Sequence, residues 1–174
     1  MSRIPISVIV TRYPWVVPVI YILKFEKFDR KILSEKLGIC SRFSRTLIWI
    51  LKKLNIVVEC EDGMFKIDPE VVDQVCRKVI CVKDRRFVIQ EGDSMILVRL
   101  LNDRATVRVV SRDLVDLVEK KLKDIGRESN LKTIADSVGE RADRVSTALR
   151  ILETCGKVII KRDESGRCLY MISH

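Results

Sequence analysis

Apolar residues recur at helical spacing toward both ends of the chain and at strand spacing between them. At 100° per residue, Phe43, Leu47, Ile50, Leu51 and Leu54 fall on one face of a helix over 41–54, with Arg42, Arg45, Trp49 and Lys52 opposite. Over 140–154, Val145, Ala148, Leu149 and Leu152 form the apolar face, and Glu140, Asp143, Arg144, Thr147 and Arg150 turn outward. A short helix is predicted before each, over 29–37 and 131–138, and each stops at a glycine, Gly38 or Gly139, which takes a left-handed turn at no Cβ cost. Longer helices precede these. One spans 14–27, where proline suits the first turn, and the other spans 112–125, capped by Ser111 with Leu114, Leu117, Val118, Leu122 and Ile125 in helical register.

After the second helix of each set comes a residue tolerant of a left-handed cap, Asn55 or Gly156, and then a hairpin. The strands are 56–60 and 64–67 around Glu61-Asp62-Gly63, and 157–161 and 168–172 around Asp163-Glu164-Ser165-Gly166. The two sets superpose in sequence at an offset of 101. Leu33 meets Ile134, Leu37 meets Val138, Gly38 meets Gly139, Leu47 meets Ala148, Ile48 meets Leu149, Leu51 meets Leu152, Asn55 meets Gly156, and Val57-Val58 meets Val158-Ile159. Three helices and a hairpin are therefore expected twice.

Between them, 69–110 opens with a helical stretch over 69–77 and continues as extended runs over 79–83, 86–90, 95–101 and 106–110. Turns at Gly92-Asp93 and Asn102-Asp103 separate the later runs. This reads as a small β-meander joining the units and able to pair with one of the hairpins, since its Ile, Val and Leu need burial. The apolar N-terminal positions Ile4, Ile6, Val8 and Val10 alternate as in a strand or a patch that seeks a partner, which favours a homodimer.

Composition narrows the class. Apolar residues make up 47% and charged residues 33% of 174, as in a folded globular chain. The net charge of +9 favours a polyanionic partner, because Lys and Arg that neutralise phosphates release counterions. Residues 1–68 hold 12 basic and 7 acidic groups, the largest excess of the three segments. The apolar run from Tyr13 to Leu23 is shorter than the roughly 20 residues of a membrane span, and no small-residue cleavage site follows Arg3, so neither membrane insertion nor export is expected. Six cysteines lack a C-x-x-C pair and the single histidine is His174, so no structural metal and no cofactor are expected. Cys76 and Cys81 could pair or hold a cluster, with buried thiols the commoner case. Few Asn and Gln beside many Ile, Val, Arg, Lys and Glu is a hyperthermophile leaning that points to an archaeal cytosolic source, a setting where intracellular disulfides occur. No G-x-S-x-G, phosphate-binding loop or dinucleotide fingerprint occurs, so an enzyme is not expected.

The run Ile134-Ala135-Asp136-Ser137-Val138-Gly139, then Val145-Ser146-Thr147-Ala148-Leu149-Arg150-Ile151-Leu152-Glu153, then Gly156-Lys157-Val158-Ile159, resembles the winged helix-turn-helix superfamily of archaeal and bacterial DNA-binding proteins. The first copy departs only by Ser34 in place of a small Ala and Asn55 in place of Gly. The resemblance covers about two-thirds of the chain. It implies an α+β fold of two winged-helix units, 1–68 and 111–174, each of three helices and a β-hairpin wing, joined by a β-rich connecting segment over 69–110. It also implies a recognition helix that lies in the major groove of duplex DNA. The expected DNA contacts are Ser41 (as helix N-cap or phosphate ligand), Arg42, Ser44, Arg45, Thr46 and Lys52 on the first recognition helix. On the second unit they are Arg144, Thr147 and Arg150, with Lys161, Arg162 and Arg167 on its wing.

The two copies are not expected to act equally. Glu140 and Asp143 repel phosphate at the second helix, while Glu59, Glu61 and Asp62 make the first wing acidic. Trp49, a large aromatic on the outer face, is expected at a protein interface, against the meander or a second subunit. Two functions fit these residues. One is a cytoplasmic, nucleoid-associated duplex-DNA-binding protein, a transcription regulator or a chromatin or replication accessory factor. The other is a tandem interaction module docked on RNA polymerase or chromosome-segregation machinery without direct DNA readout.

Overall fold

A computed structural model of the chain describes residues 4–173. Among these it is an α+β structure of helices and three small antiparallel sheets. The N-terminal part runs α1 (Ile6–Arg12), α2 (Val16–Leu23), α3 (Arg30–Leu37), α4 (Ser41–Lys53), β1 (Val57–Glu59) and β2 (Phe65–Ile67). The middle runs α5 (Pro69–Cys76), β3 (Val79–Lys83), β4 (Arg86–Glu91), β5 (Ser94–Leu100) and β6 (Ala105–Ser111). The C-terminal part runs α6 (Arg112–Ile125), β7 (Ser129–Asn130), α7 (Leu131–Val138), α8 (Ala142–Thr154), β8 (Val158–Arg162) and β9 (Cys168–Ile172).

The helices α3, α4, α6, α7 and α8 and both hairpins fall close to where the sequence places them, whereas the helix expected over 14–27 spans only Val16–Leu23 and stops at Lys24, at a positive φ of 44°. The Asp29 carboxylate accepts from the Ile32 amide (2.8 Å) to start α3, and the Asn130 side chain accepts from the Thr133 amide (2.9 Å) to start α7. Gly38 (φ 60°) and Gly139 (φ 74°) end them in the left-handed region. Asn55 (φ 55°) and Gly156 (φ 74°) do the same where α4 and α8 give way to β1 and β8. The strands β7, β9 and β8 form a three-stranded sheet in that order. The N-terminal hairpin has only a single bridge, Phe28 to Phe65, in the place of the third strand.

Two expectations fail. The alternating segment 4–10 is neither a strand nor an exposed patch. It lies largely in helix α1, whose Ile9 and Val10 are fully buried against α2, α5 and β4, with Ile4, Ile6 and Val8 half-buried. The meander does not pair with a hairpin but forms its own four-stranded sheet in the order β3-β4-β5-β6. Its first turn has no glycine or asparagine. Asp84 (φ 48°) and Arg85 (φ 61°) both sit in the left-handed region of a two-residue hairpin, and the Arg85 guanidinium donates to the Gly38 carbonyl (2.7 Å). That bond fastens the sheet to the turn between α3 and α4, as does the Cys40 amide donating to the Asn102 carbonyl (2.6 Å).

The central strands β4 and β5 are buried on both faces, which is why they read as continuous apolar runs. Its side chains alternate between two cores. Phe87, Ile89, Ile96, Val98 and Leu100 join the core of α1 to α5, whereas Val88, Met95, Leu97 and Val110 join the core of α6 to α8. Pro69–Cys76 also belongs to the first core, through Val71, Val72 and Val75.

The two helical sets meet this sheet differently. On one face α1 packs on β4, and Tyr21 of α2 stacks edge-on against Phe87 at 6.0 Å. On the other face it is α8, with α6, that packs on β3, β4 and β6. Cys81 of β3 is disulfide-bonded to Cys155 at the end of α8, with Cα atoms 5.2 Å apart. The pairing of Cys76 with Cys81 therefore does not occur, and Cys40, Cys60, Cys76 and Cys168 are free thiols.

Candidate nucleic-acid interface

Helix α4 buries Leu47, Leu51 and Ser44, with Phe43 and Ile50 half-buried beside them. Its exposed side chains are Ser41, Arg42, Arg45, Thr46, Trp49, Lys52 and Lys53, a set without a single carboxylate. Arg42 and Arg45 have no acidic partner among the described residues. Lys52 lies 3.4 Å from Glu59 of β1 and 4.4 Å over the Phe65 ring, so its charge is partly answered by the hairpin. Thr46 Oγ1 donates back to the Arg42 carbonyl (3.2 Å) and remains exposed. Two expectations change here. Ser44 is fully buried and its hydroxyl donates to the Ser41 carbonyl (3.0 Å), so it faces the core and cannot read a base edge. Ser41 is the first residue of the helix and not its cap. That position is Cys40, which makes no side-chain capping bond and leaves the helix N-terminus open to an anion.

Trp49 is 59% exposed, with the Lys53 ammonium 4.9 Å from its ring. It does not pack on the meander, because it is α1 and α2 that turn toward the sheet and α4 faces away, in contact chiefly with α3. Lys53, on the same outer stripe, was missed by the sequence reading, although its 100° position beside Trp49 could have shown it.

Helix α8 is in the opposite situation. Thr147 and Thr154 are buried and donate to the Asp143 (3.0 Å) and Arg150 (2.8 Å) carbonyls. Thr147 is therefore not a contact residue in this arrangement, because the sheet covers the face that a helical wheel turns outward. Arg150 is half-buried and lines a cleft against the sheet. Arg144 is paired with Glu140 (2.9 Å), Lys161 with Glu128 (2.6 Å) and Arg167 with Asp163 (3.2 Å), while Arg162 is exposed without an acidic partner among the described residues.

The sequence reading missed the ion cluster that holds α8 down. The Glu153 carboxylate accepts from Lys83 (2.8 Å) and makes a short bidentate pair with Arg86, both from the sheet. Burial would raise the Glu153 carboxyl, but the hydrogen bonds and charges of Arg86 and Lys83 outweigh it and hold the group below its ordinary 4.5. Glu119 is treated likewise. Partial burial raises it, and Lys123 and Lys157 more than compensate.

No helix among the described residues is long and apolar enough to cross a membrane, and none of their His, Cys, Asp and Glu gather in a group of three that could hold a metal. No family model, no curated protein and no solved structure matches the chain.

Proposed function

We propose that the protein binds duplex DNA through α4, as a transcription regulator or a chromatin or replication accessory factor in the nucleoid. In this reading the chain carries two winged helix-turn-helix units, and the first does the reading. The observation that carries it is the exposed, carboxylate-free stripe of α4, where Arg42 and Arg45 stand unpaired at the helix N-terminus. A helix presented this way suits a major groove, where N-terminal side chains reach base edges and Lys52 and Lys53 reach phosphates. The second unit contributes less, since its own helix lies against the sheet and most of its basic groups are paired.

A gel-shift salt titration tests this. Replacing Arg42 and Arg45 with Ala is expected to weaken duplex binding at least severalfold and to relax base discrimination, and replacing Lys52 and Lys53 with Ala to reduce the slope of log affinity against log salt by about 1.8, near 0.9 per lost phosphate contact. Unchanged affinity and slope would remove the reading. One observation favours the rival, an interaction module without direct DNA readout. Trp49 is exposed on α4, and the hairpin that follows the helix carries Glu59, Glu61 and Asp62. No duplex binding at about 50 mM salt, where phosphate contacts are strong, would select it.

A further inference from the structure

On the sheet face that meets α8, the register brings arginines together. Arg86 of β4 stands directly opposite Arg99 of β5, Arg99 opposite Thr106 of β6, and Leu97 opposite Arg108. Side chains at i and i+2 share a face, so Arg86, Arg99 and Arg108 lie on the same sheet face as Val88, Leu97 and Val110 of the second core, with Arg86 half-buried and Arg99 and Arg108 exposed beside it. From above, α8 adds Arg150 and Ser146. The result is a cleft of about 620 Å³ between the sheet and α8, whose lining includes four arginines and one carboxylate, Asp84.

Folding alone does not account for this arrangement. Like charges directly opposite on neighbouring strands are destabilising. Only Arg86 is neutralised, by Glu153 and more distantly by Asp84 at 3.6 Å. Arg99, Arg108 and Arg150 have no carboxylate partner among the described residues. A merely solvated basic face would not need a wall on each side. Here Arg86 is held rigid by a nearly buried Glu153 and Arg150 projects from a helix tied to the sheet by the Cys81–Cys155 bond.

We propose that this cleft binds a ligand with two or more closely spaced phosphates. The planar guanidinium fork matches phosphate oxygens in pairs, and the Ser146 and Thr106 hydroxyls can donate to the same groups. Its volume lies within the range of about 300–1,000 Å³ typical of small-ligand sites and exceeds the size of a single phosphate. The phosphates come either from a free polyphosphate or nucleotide tail or from the backbone of a bound nucleic acid. The site shares no residue with α4, so it stands whether or not α4 reads DNA.

Calorimetric titration with inorganic tripolyphosphate, paired with a gel shift on a duplex, tests it on the full chain. The variants are R99Q/R108Q on the sheet wall, R150Q on the helix wall and R42Q/R45Q on α4. Tripolyphosphate binding is expected to weaken tenfold or more in R99Q/R108Q, to weaken in R150Q as well, and to persist in R42Q/R45Q. If the duplex affinity of R99Q/R108Q is then unchanged, the source is a free polyphosphate. If it falls severalfold and tripolyphosphate competes with the duplex, the source is the strand. Because the replaced arginines repel one another, R99Q/R108Q should melt no lower than the wild-type chain, which keeps a binding loss distinct from misfolding. Wild-type tripolyphosphate and duplex affinities retained in R99Q/R108Q and R150Q, or no tripolyphosphate binding with unchanged duplex affinity, would overturn the proposal. Loss of duplex binding in R42Q/R45Q alone would bear on α4 and not on the cleft.

Discussion

Replacing Cys155 with Ser is expected to remove about 3 to 4 kcal/mol of stability and to loosen α8 from the sheet. Cys81 and Cys155 are 74 residues apart in sequence, so their bond closes a long loop in the unfolded chain. The chain-entropy relation gives about 4.4 kcal/mol for a loop of that length at 25 °C, and residual structure in the unfolded state lowers the delivered value. For a chain of 150–250 residues each kcal/mol moves Tm by roughly 2–4 °C, so C155S should melt roughly 6–16 °C below wild type. Scanning calorimetry with and without reductant measures this. Reductant should reproduce the C155S shift in the wild-type chain and leave C155S itself unmoved. Thiol titration in denaturant should count four reactive groups before reduction, the thiols of Cys40, Cys60, Cys76 and Cys168, and six after. Six thiols before reduction, or a Tm that reductant moves by less than about 2 °C, would refute the reasoning.

Three further outcomes follow from the packing. Glu153→Gln leaves Arg86 facing a neutral amide in a nearly buried site and should cost about 2–3 kcal/mol by urea unfolding, at or below the range for breaking a buried pair because Lys83 stays in water. The same carboxyl, with Glu119, is held below 4.5 when folded, so its stabilisation is present above that pH and is lost as pH falls through the folded value. Melting temperature should hold from pH 7 to about 5 and then drop, less steeply in E153Q. Ile9→Ala should destabilise by about 2–5 kcal/mol without changing the molecular mass seen by light scattering, because Ile9 is a core residue of α1 and not an interface one.

The helices and hairpins of both ends were legible because each carries its own local cause. Asn130 and Asp29 start helices, Gly38 and Gly139 stop them, and the 3.6-residue spacing of Leu47, Leu51 and Leu54 fixes a face. What was not legible depends on contacts distant in sequence. Ile6–Arg12 is rich in β-branched residues and suggests a strand, yet burial against α2, α5 and β4 makes it helical. The Asp84-Arg85 turn lacks the usual residue types, since a tertiary bond from Arg85 to Gly38 supports it. Ser44 reads as an exposed hydroxyl until its position beside Leu47 and Leu51 is known. For the candidate site, Arg42, Arg45 and Lys52 were placed correctly on the exposed face. Arg86, Arg99 and Arg108 could have been noticed as charges at the ends of otherwise apolar strands, but only the register shows that they converge.

The duplication in sequence does not carry over to the surfaces, and the sheet is the reason. A helical wheel tells which face of a helix turns from its own core. It does not tell what covers that face. In the first set, α1 and α2 cover the sheet and α4 is left bare. In the second, the equivalent of α4 is itself the cover, pinned by Glu153 to Arg86 and by Cys155 to Cys81. The divergence of the two helices fits this asymmetry. Asp143, which would repel phosphate, and Glu153, which bonds to the sheet, stand on α8, and α4 has no acidic residue at all. Release of α8 would require breaking a disulfide, an ion cluster and a shared apolar core together. The basic face of α4 and the arginine cleft beneath α8 are thus consequences of one packing choice, in which the sheet takes α1 and α2 on one side and α8 on the other.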